Sequence, residues 1–155
     1  MNTSGIDIEV QYAFSSAAVP EAAPIRRWAE SVLQQQATPV ELVIRIVDEA
    51  EMTALNQQYR GKDGPTNVLS FPVGLPGEAG AVLLGDIEIC APVVASECVA
   101  QDKSPDAHWA HLVIHGVLHL LGYDHITDDE AQRMESTETR LLAELGFDDP
   151  YREMA

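Results

Sequence analysis

Residues 104–125 read SPDAHWAHLVIHGVLHLLGYDH, and all five histidines of the chain fall within them. Ser104 is a capping residue, Pro105 suits a first helical position, and Asp106 puts an acid in the first turn. The pattern predicts a helix to Leu121 with Gly122 just past its end. At 100° per residue, His108, His111, His115 and His119 share an arc of about 80°. Val113, Ile114, Val117, Leu118 and Leu121 make the rest of that helix apolar. A buried helix with an imidazole stripe must satisfy those rings, because an unpaired buried polar group costs roughly 1–3 kcal/mol.

His115 and His119 lie one turn apart on one face, close enough to grip a single ion. Gly122 permits a tight exit from the helix, so that His125 can return toward the same point. The run H-x3-H-x2-G-x2-H offers three neutral imidazoles and leaves a fourth position open, the catalytic rather than the structural pattern for zinc. A metal so held lowers the pKa of its water to about 7, which suits hydrolysis. The expectation is one zinc ion on His115, His119 and His125. His111 sits a turn further back and is read as a group behind a ligand, a substrate-facing group, or a structural one. His108 is read as structural or near the mouth of a cleft. The spacing equals that of the metzincin proteases, H-E-x-x-H-x-x-G-x-x-H, and predicts a metzincin-like zinc helix. Gly116 stands where those enzymes carry their general base, which argues against peptide hydrolysis by their route.

Outward from this helix, Thr127 and Glu130 form a capping box for a last helix that runs to Leu145 and stops at Gly146. Upstream, IDIEVQYAF (6–14) alternates as a strand, and residues 24–36 read as a helix with Pro24 in its first turn. VELVIRIV (40–47) is a β-branched strand. Asp48 then caps a helix, with Glu51 three positions on, that stops at Gly61. Residues 60–67 are a loop, 68–72 a strand, 73–81 a second loop by their Gly and Pro content, and 83–90 a strand. Pro92 opens a helix to about Gln101. No linker divides the chain. The prediction is a single α+β domain over residues 1–155, a mixed sheet of about four strands packed with about five helices.

With 155 residues and 46% hydrophobic content, the chain can bury a core without a disulfide framework. Its amino terminus, MNTSGIDIEV, lacks the form of a signal peptide. Nothing approaches ~18 consecutive apolar residues, so no membrane partner is expected and the location read is cytoplasmic. Cys90 and Cys98 are then reduced, and eight positions is not the spacing of a zinc knuckle. The net charge of −16, with nine Lys and Arg, is adverse for unaided nucleic-acid binding, which normally leaves a basic footprint.

HGVLHLLGYDH (115–125) resembles the signature of the YbeY family, bacterial rRNA maturation factors described as single-strand-specific, metal-dependent endoribonucleases. LNQQYRGKDGPTNVLSFPV (55–73) and LGDIEIC (84–90) resemble two further blocks of that family, in the same order. The resemblance covers the chain from about residue 40 to 145. It implies that His115, His119 and His125 are zinc ligands and that Arg60 is functionally important. It implies action on ribosomal RNA at the 16S 3′ end and in ribosome quality control. The 30S subunit, small-subunit ribosomal proteins and an assembly GTPase are the implied partners.

Joined to that family, a guanidinium at Arg60 suits phosphate, since it is permanently charged and presents a fork of donors; Lys62 adds to the local field. Without the family, Arg60 also reads as a helix-end arginine on the last carbonyls. Water activated by the metal and the RNA 2′-hydroxyl both remain candidates for the nucleophile. His111 and Asp124 are the candidate proton acceptors, although Asp124 also reads as a turn cap or as a carboxylate orienting a ligand. Asp86 reads as structural, and Thr66 and Asn67 as organisers of the loop bearing Arg60 through side-chain bonds to the backbone. Two other functions fit the same residues: a non-catalytic ribosome-assembly factor with a structural zinc, and a zinc-dependent peptidase.

Overall fold

The computed structural model describes residues 5–77, 80–124 and 126–151. The elements run β1 (Ile6–Tyr12), α1 (Ala22–Leu33), β2 (Val40–Val47), α2 (Glu49–Arg60), β3 (Val68–Pro76), β4 (Val82–Cys90), α3 (Ala91–Gln101), α4 (Pro105–Leu120) and α5 (Asp128–Glu144). The strands form one mixed sheet in the order β1-β2-β4-β3. The pairs β1/β2 and β2/β4 are parallel, whereas β3 is an antiparallel edge. The predicted α+β architecture is therefore present.

Alternation sorts the sheet into two faces. Val40, Leu42, Ile44 and Ile46 of β2, with Ile87 and Ile89 of β4, are buried in the main core beneath α1 and α4. A smaller cluster of Val47, Met52, Leu69 and Cys90 lies under α2, on the other face. Helix α4 is the keystone: Trp109, Leu112, Val113, Ile114, Val117 and Leu118 are all at most 4% exposed. No helix among the described residues is long and apolar enough to cross a membrane.

The caps form where the sequence places them. Ser104 Oγ accepts from Ala107 N, and Thr127 and Glu130 make a full capping box. Asp48 accepts from Glu51 N at 2.9 Å, but the Glu51 side chain turns to Arg45 at 2.8 Å instead of closing the box. Some boundaries differ from the sequence reading: β1 ends at Tyr12 rather than 14, α1 covers Ala22–Leu33 rather than 24–36, and α4 ends at Leu120 rather than Leu121.

The larger correction is β3, which continues to Pro76 through residues expected to be a loop. It resumes pairing beyond an irregularity between Pro72 and Leu75, with Leu75 opposite Leu83 and Pro76 opposite Val82. Prolines lack a ladder donor but are tolerated on an edge strand. The partner strand accommodates this at Gly85, whose φ is +144°; an added Cβ would lie 2.1 Å from the Phe71 carbonyl oxygen.

Candidate active site

The apolar residues of α4 fix its rotation on the sheet and so decide where its imidazoles point. His115 and His119 project from one flank with ring centroids 4.6 Å apart and ring planes at 78°. Between them, Gly116 packs against the sheet. An added Cβ there would meet Ile87 Cγ2 at 3.0 Å and Ser70 Oγ at 3.3 Å. A side chain at the position after His115 would require Ile87 and Ser70 to give way by a few tenths of an ångström.

Behind His115 stands Glu138 of α5, which is 0% exposed. His115 Nδ1 donates to Glu138 Oε2 at 2.6 Å. The tautomer follows from the partner: a carboxylate accepts, so Nδ1 carries the proton and Nε2 is the acceptor nitrogen. Oε1 of the same carboxylate takes His111 Nε2 at 2.9 Å and the Tyr151 hydroxyl. Burial alone would push this carboxyl up, but the bonds from His111, His115 and Tyr151 outweigh it and hold the pKa at about 2. Burial, and then the Glu138 carboxylate, raise the Tyr151 phenol.

His115 and His119 line a cleft of about 680 Å³ whose other walls include Arg60, Asn67, Ser70 and Asp124. Arg60 ends α2, and Gly61 closes that helix at φ +64°. The following loop is tied down twice. Asn56 Nδ2 donates to Gly64 O at 2.9 Å, and the Asn67 amide donates to Glu97 at 3.2 Å. Glu97 also accepts from His108 Nε2 at 2.8 Å. Of the two residues expected to organise this loop, Asn67 does so through the Glu97 side chain, and the bond from a side chain to the loop backbone comes from Asn56. His108 is a scaffold residue, 5% exposed, and its pKa is lowered by burial.

The fold thus brings Arg60, His115, His119 and Asp124 to one cleft. His111 does not line it. It borders a separate cavity of about 390 Å³ beside Phe147 and Pro150, and it meets the site through Glu138. His125 lies outside the described residues. Among the described residues no group of three or more potential ligands gathers; His115 and His119 are the two members of the expected triad that lie within them. Their chemistry fits a divalent ion. Two imidazoles stand one turn apart on a cleft wall, and a buried carboxylate fixes the tautomer of one, an arrangement common behind metal-bound histidines.

Two residues of the site escaped sequence reasoning. Glu138 left a signal, because it sits in the buried stripe Met134, Glu138, Leu141 and Leu142, where an acid needs an explanation. Tyr151 left none.

The family model for endoribonuclease YbeY matches residues 11–146. Proteins named endoribonuclease YbeY from three strains of Pseudomonas putida are each 56% identical over 147 residues, spanning 94% of this chain and 93% of theirs. The solution structure of a Thermotoga maritima protein shares the fold, with a TM-score of 0.56 and 24% identity over 96% of this chain and 99% of that one. The chain belongs to the endoribonuclease YbeY family.

Proposed function

We propose that this chain is a zinc-dependent endoribonuclease that cuts single-stranded ribosomal RNA, in maturation of the 16S 3′ end and in ribosome quality control. The observation that carries the reading is the shared cleft, which Arg60 lines together with His115 and His119. The names of the relatives support the reaction class.

His115 and His119, with His125, would hold one zinc ion. Zinc, when bound, supplies a Lewis-acidic charge for a phosphoryl oxygen and lowers the pKa of water. The chain's own groups do the rest. Arg60 binds the scissile phosphate through its fork of donors and stabilises charge that develops there. Asp124, which lines the same cleft, takes a proton from the attacking hydroxyl. Glu138 holds His115 in one tautomer and one orientation. His111 acts from behind, on Glu138 rather than on RNA.

The net charge of −16 favours a protein that works on the 30S subunit in the cytoplasm. There, basic small-subunit ribosomal proteins, with an assembly GTPase, supply affinity that the acidic surface lacks. The same charge is the observation behind a second reading, a non-catalytic assembly factor with a structural zinc. Among the described residues of the cleft, nothing favours a peptidase. Cleavage of single-stranded RNA by the zinc-loaded protein is the test: His115→Ala and Arg60→Ala forms that cut as fast as the unaltered chain would refute the nuclease.

A further inference from the structure

We infer that Tyr151, carried on the segment after α5, is a positioning residue for the proposed metal centre, acting through Glu138 on His115. The inference rests on the zinc reading above. It concerns a residue that neither motif nor spacing singles out.

Three donors converge on one carboxylate. Glu138 Oε2 is committed to His115 Nδ1, while Oε1 is shared by His111 Nε2 and the Tyr151 hydroxyl. At 0% exposure, Glu138 is closed to bulk solvent, and a buried carboxylate needs its lone pairs satisfied. The phenol also sits 3.1 Å from His111 Nε2. Rings of Tyr151 and His111 meet edge-on, with centroids 5.3 Å apart.

The segment that delivers the phenol is built to do so. Gly146, at φ +92°, turns the chain off α5, and Phe147 N returns to Leu142 O at 2.9 Å. The Phe147 ring packs edge-on against Trp28. Asp149 Oδ1 then accepts from Tyr151 N at 2.8 Å, and from the Thr139 hydroxyl. Tyr151 itself is 42% exposed. Its ring contributes little to the core, whereas its hydroxyl reaches the innermost carboxylate of the site. Removing that hydroxyl leaves Oε1 with one donor. Glu138 is then free to rotate toward His111, which loosens the hold on the His115 ring.

The test compares the full chain with Tyr151→Phe, which keeps the ring, and with a chain cut after Pro150. Zinc affinity is measured by competition with a chromophoric chelator, and the visible spectrum is recorded after Co2+ substitution. Thermal unfolding of each metal-free form controls for folding. Both altered forms should bind zinc about 10-fold more weakly, within the usual range for groups behind a ligand. Their Co2+ bands should shift, and any fall in the metal-free unfolding temperature should be too small to account for the weaker binding. Unchanged affinity and spectrum in Tyr151→Phe would overturn the inference and leave the zinc reading standing. So would weaker binding accompanied by a matching fall in metal-free stability, because the hydroxyl would then serve only the fold. An unaltered chain that takes up no zinc would overturn both.

Discussion

Ser70 donates its hydroxyl to the backbone carbonyl of Gly116 at 3.0 Å, tying the edge strand β3 to α4 one residue after His115. The bond requires the strand to run close to the helix backbone, and a glycine at 116 permits that without displacing Ile87. Close packing here explains a glycine in the middle of a helix, where it normally costs about 1 kcal/mol relative to alanine.

Gly116→Ala should therefore destabilise the protein in spite of its better helix propensity. The new methyl must displace Ile87, which is 0% exposed and hemmed in by the main core. Overpacking of that kind costs about 1–3 kcal/mol, which outweighs the propensity gain and leaves a net loss of about 1 kcal/mol. Urea unfolding measures it. An equally stable or more stable variant would show that Ile87 yields, and that packing does not dictate the glycine.

Arg60 is exposed at the end of α2, so its removal should not disturb the fold. Arg60→Ala should lower kcat/KM for single-stranded RNA by about 100-fold, comparable to losing one donor to a developing anion. Stability should stay within about 0.5 kcal/mol, as is usual at surface positions. Arg60→Lys should fall between, because it keeps the charge and loses the fork. A lysine form as active as the original would reduce the role of Arg60 to bulk charge.

The legible part of the molecule is the part written locally. Ser104, Asp48 and the Thr127–Glu130 pair announce helix starts through their own hydrogen bonds, and Gly61 and Gly146 announce ends through backbone conformation. His115 and His119 could be paired because one helical turn separates them. Strand order was not legible, since nothing in β3 or β4 says that β4 lies between β2 and β3. The 73–76 part of β3 was hidden by its Gly and Pro, which an edge position excuses. Glu138 lies 23 residues from His115 along the chain; only the packing of α5 on α4 joins them, and Tyr151 depends in turn on how the chain leaves α5.

Glu88 gives a pH dependence unconnected with the cleft. Its pKa is raised to about 7, first by burial, then by Glu51, with Arg45 opposing and Asp86 adding. Arg45 relieves it poorly, because its Nε lies 2.8 Å from Glu51 but 3.9 Å from Glu88. A raised carboxyl binds its proton more tightly in the folded state, so its contribution is full below the unfolded value of 4.5 and is lost as pH rises through about 7. Glu88→Gln should stabilise the protein at pH 8 by about 1 kcal/mol, allowing for solvent screening of this partly buried group. It should leave stability unchanged at pH 4. Thermal unfolding at the two pH values checks the sign, and an equal effect at both would point to packing instead of ionisation.

Metal removal separates the nuclease from the structural-zinc reading. The residues that seat α4 on the sheet, among them Val113, Ile114 and Val117 at 0% exposure, belong to the core rather than to the cleft. That core holds the helix whether or not His115 and His119 are engaged. Chelation should therefore abolish RNA cleavage while the far-UV circular dichroism persists. Zinc at about 100 times its Kd should add about 2.7 kcal/mol to stability through binding to the folded state alone. His119→Ala should lose that increment and resemble the chelated protein in both respects. If chelation instead collapses the dichroism, the ion is part of what holds the domain together, and the open coordination position loses its claim to be catalytic.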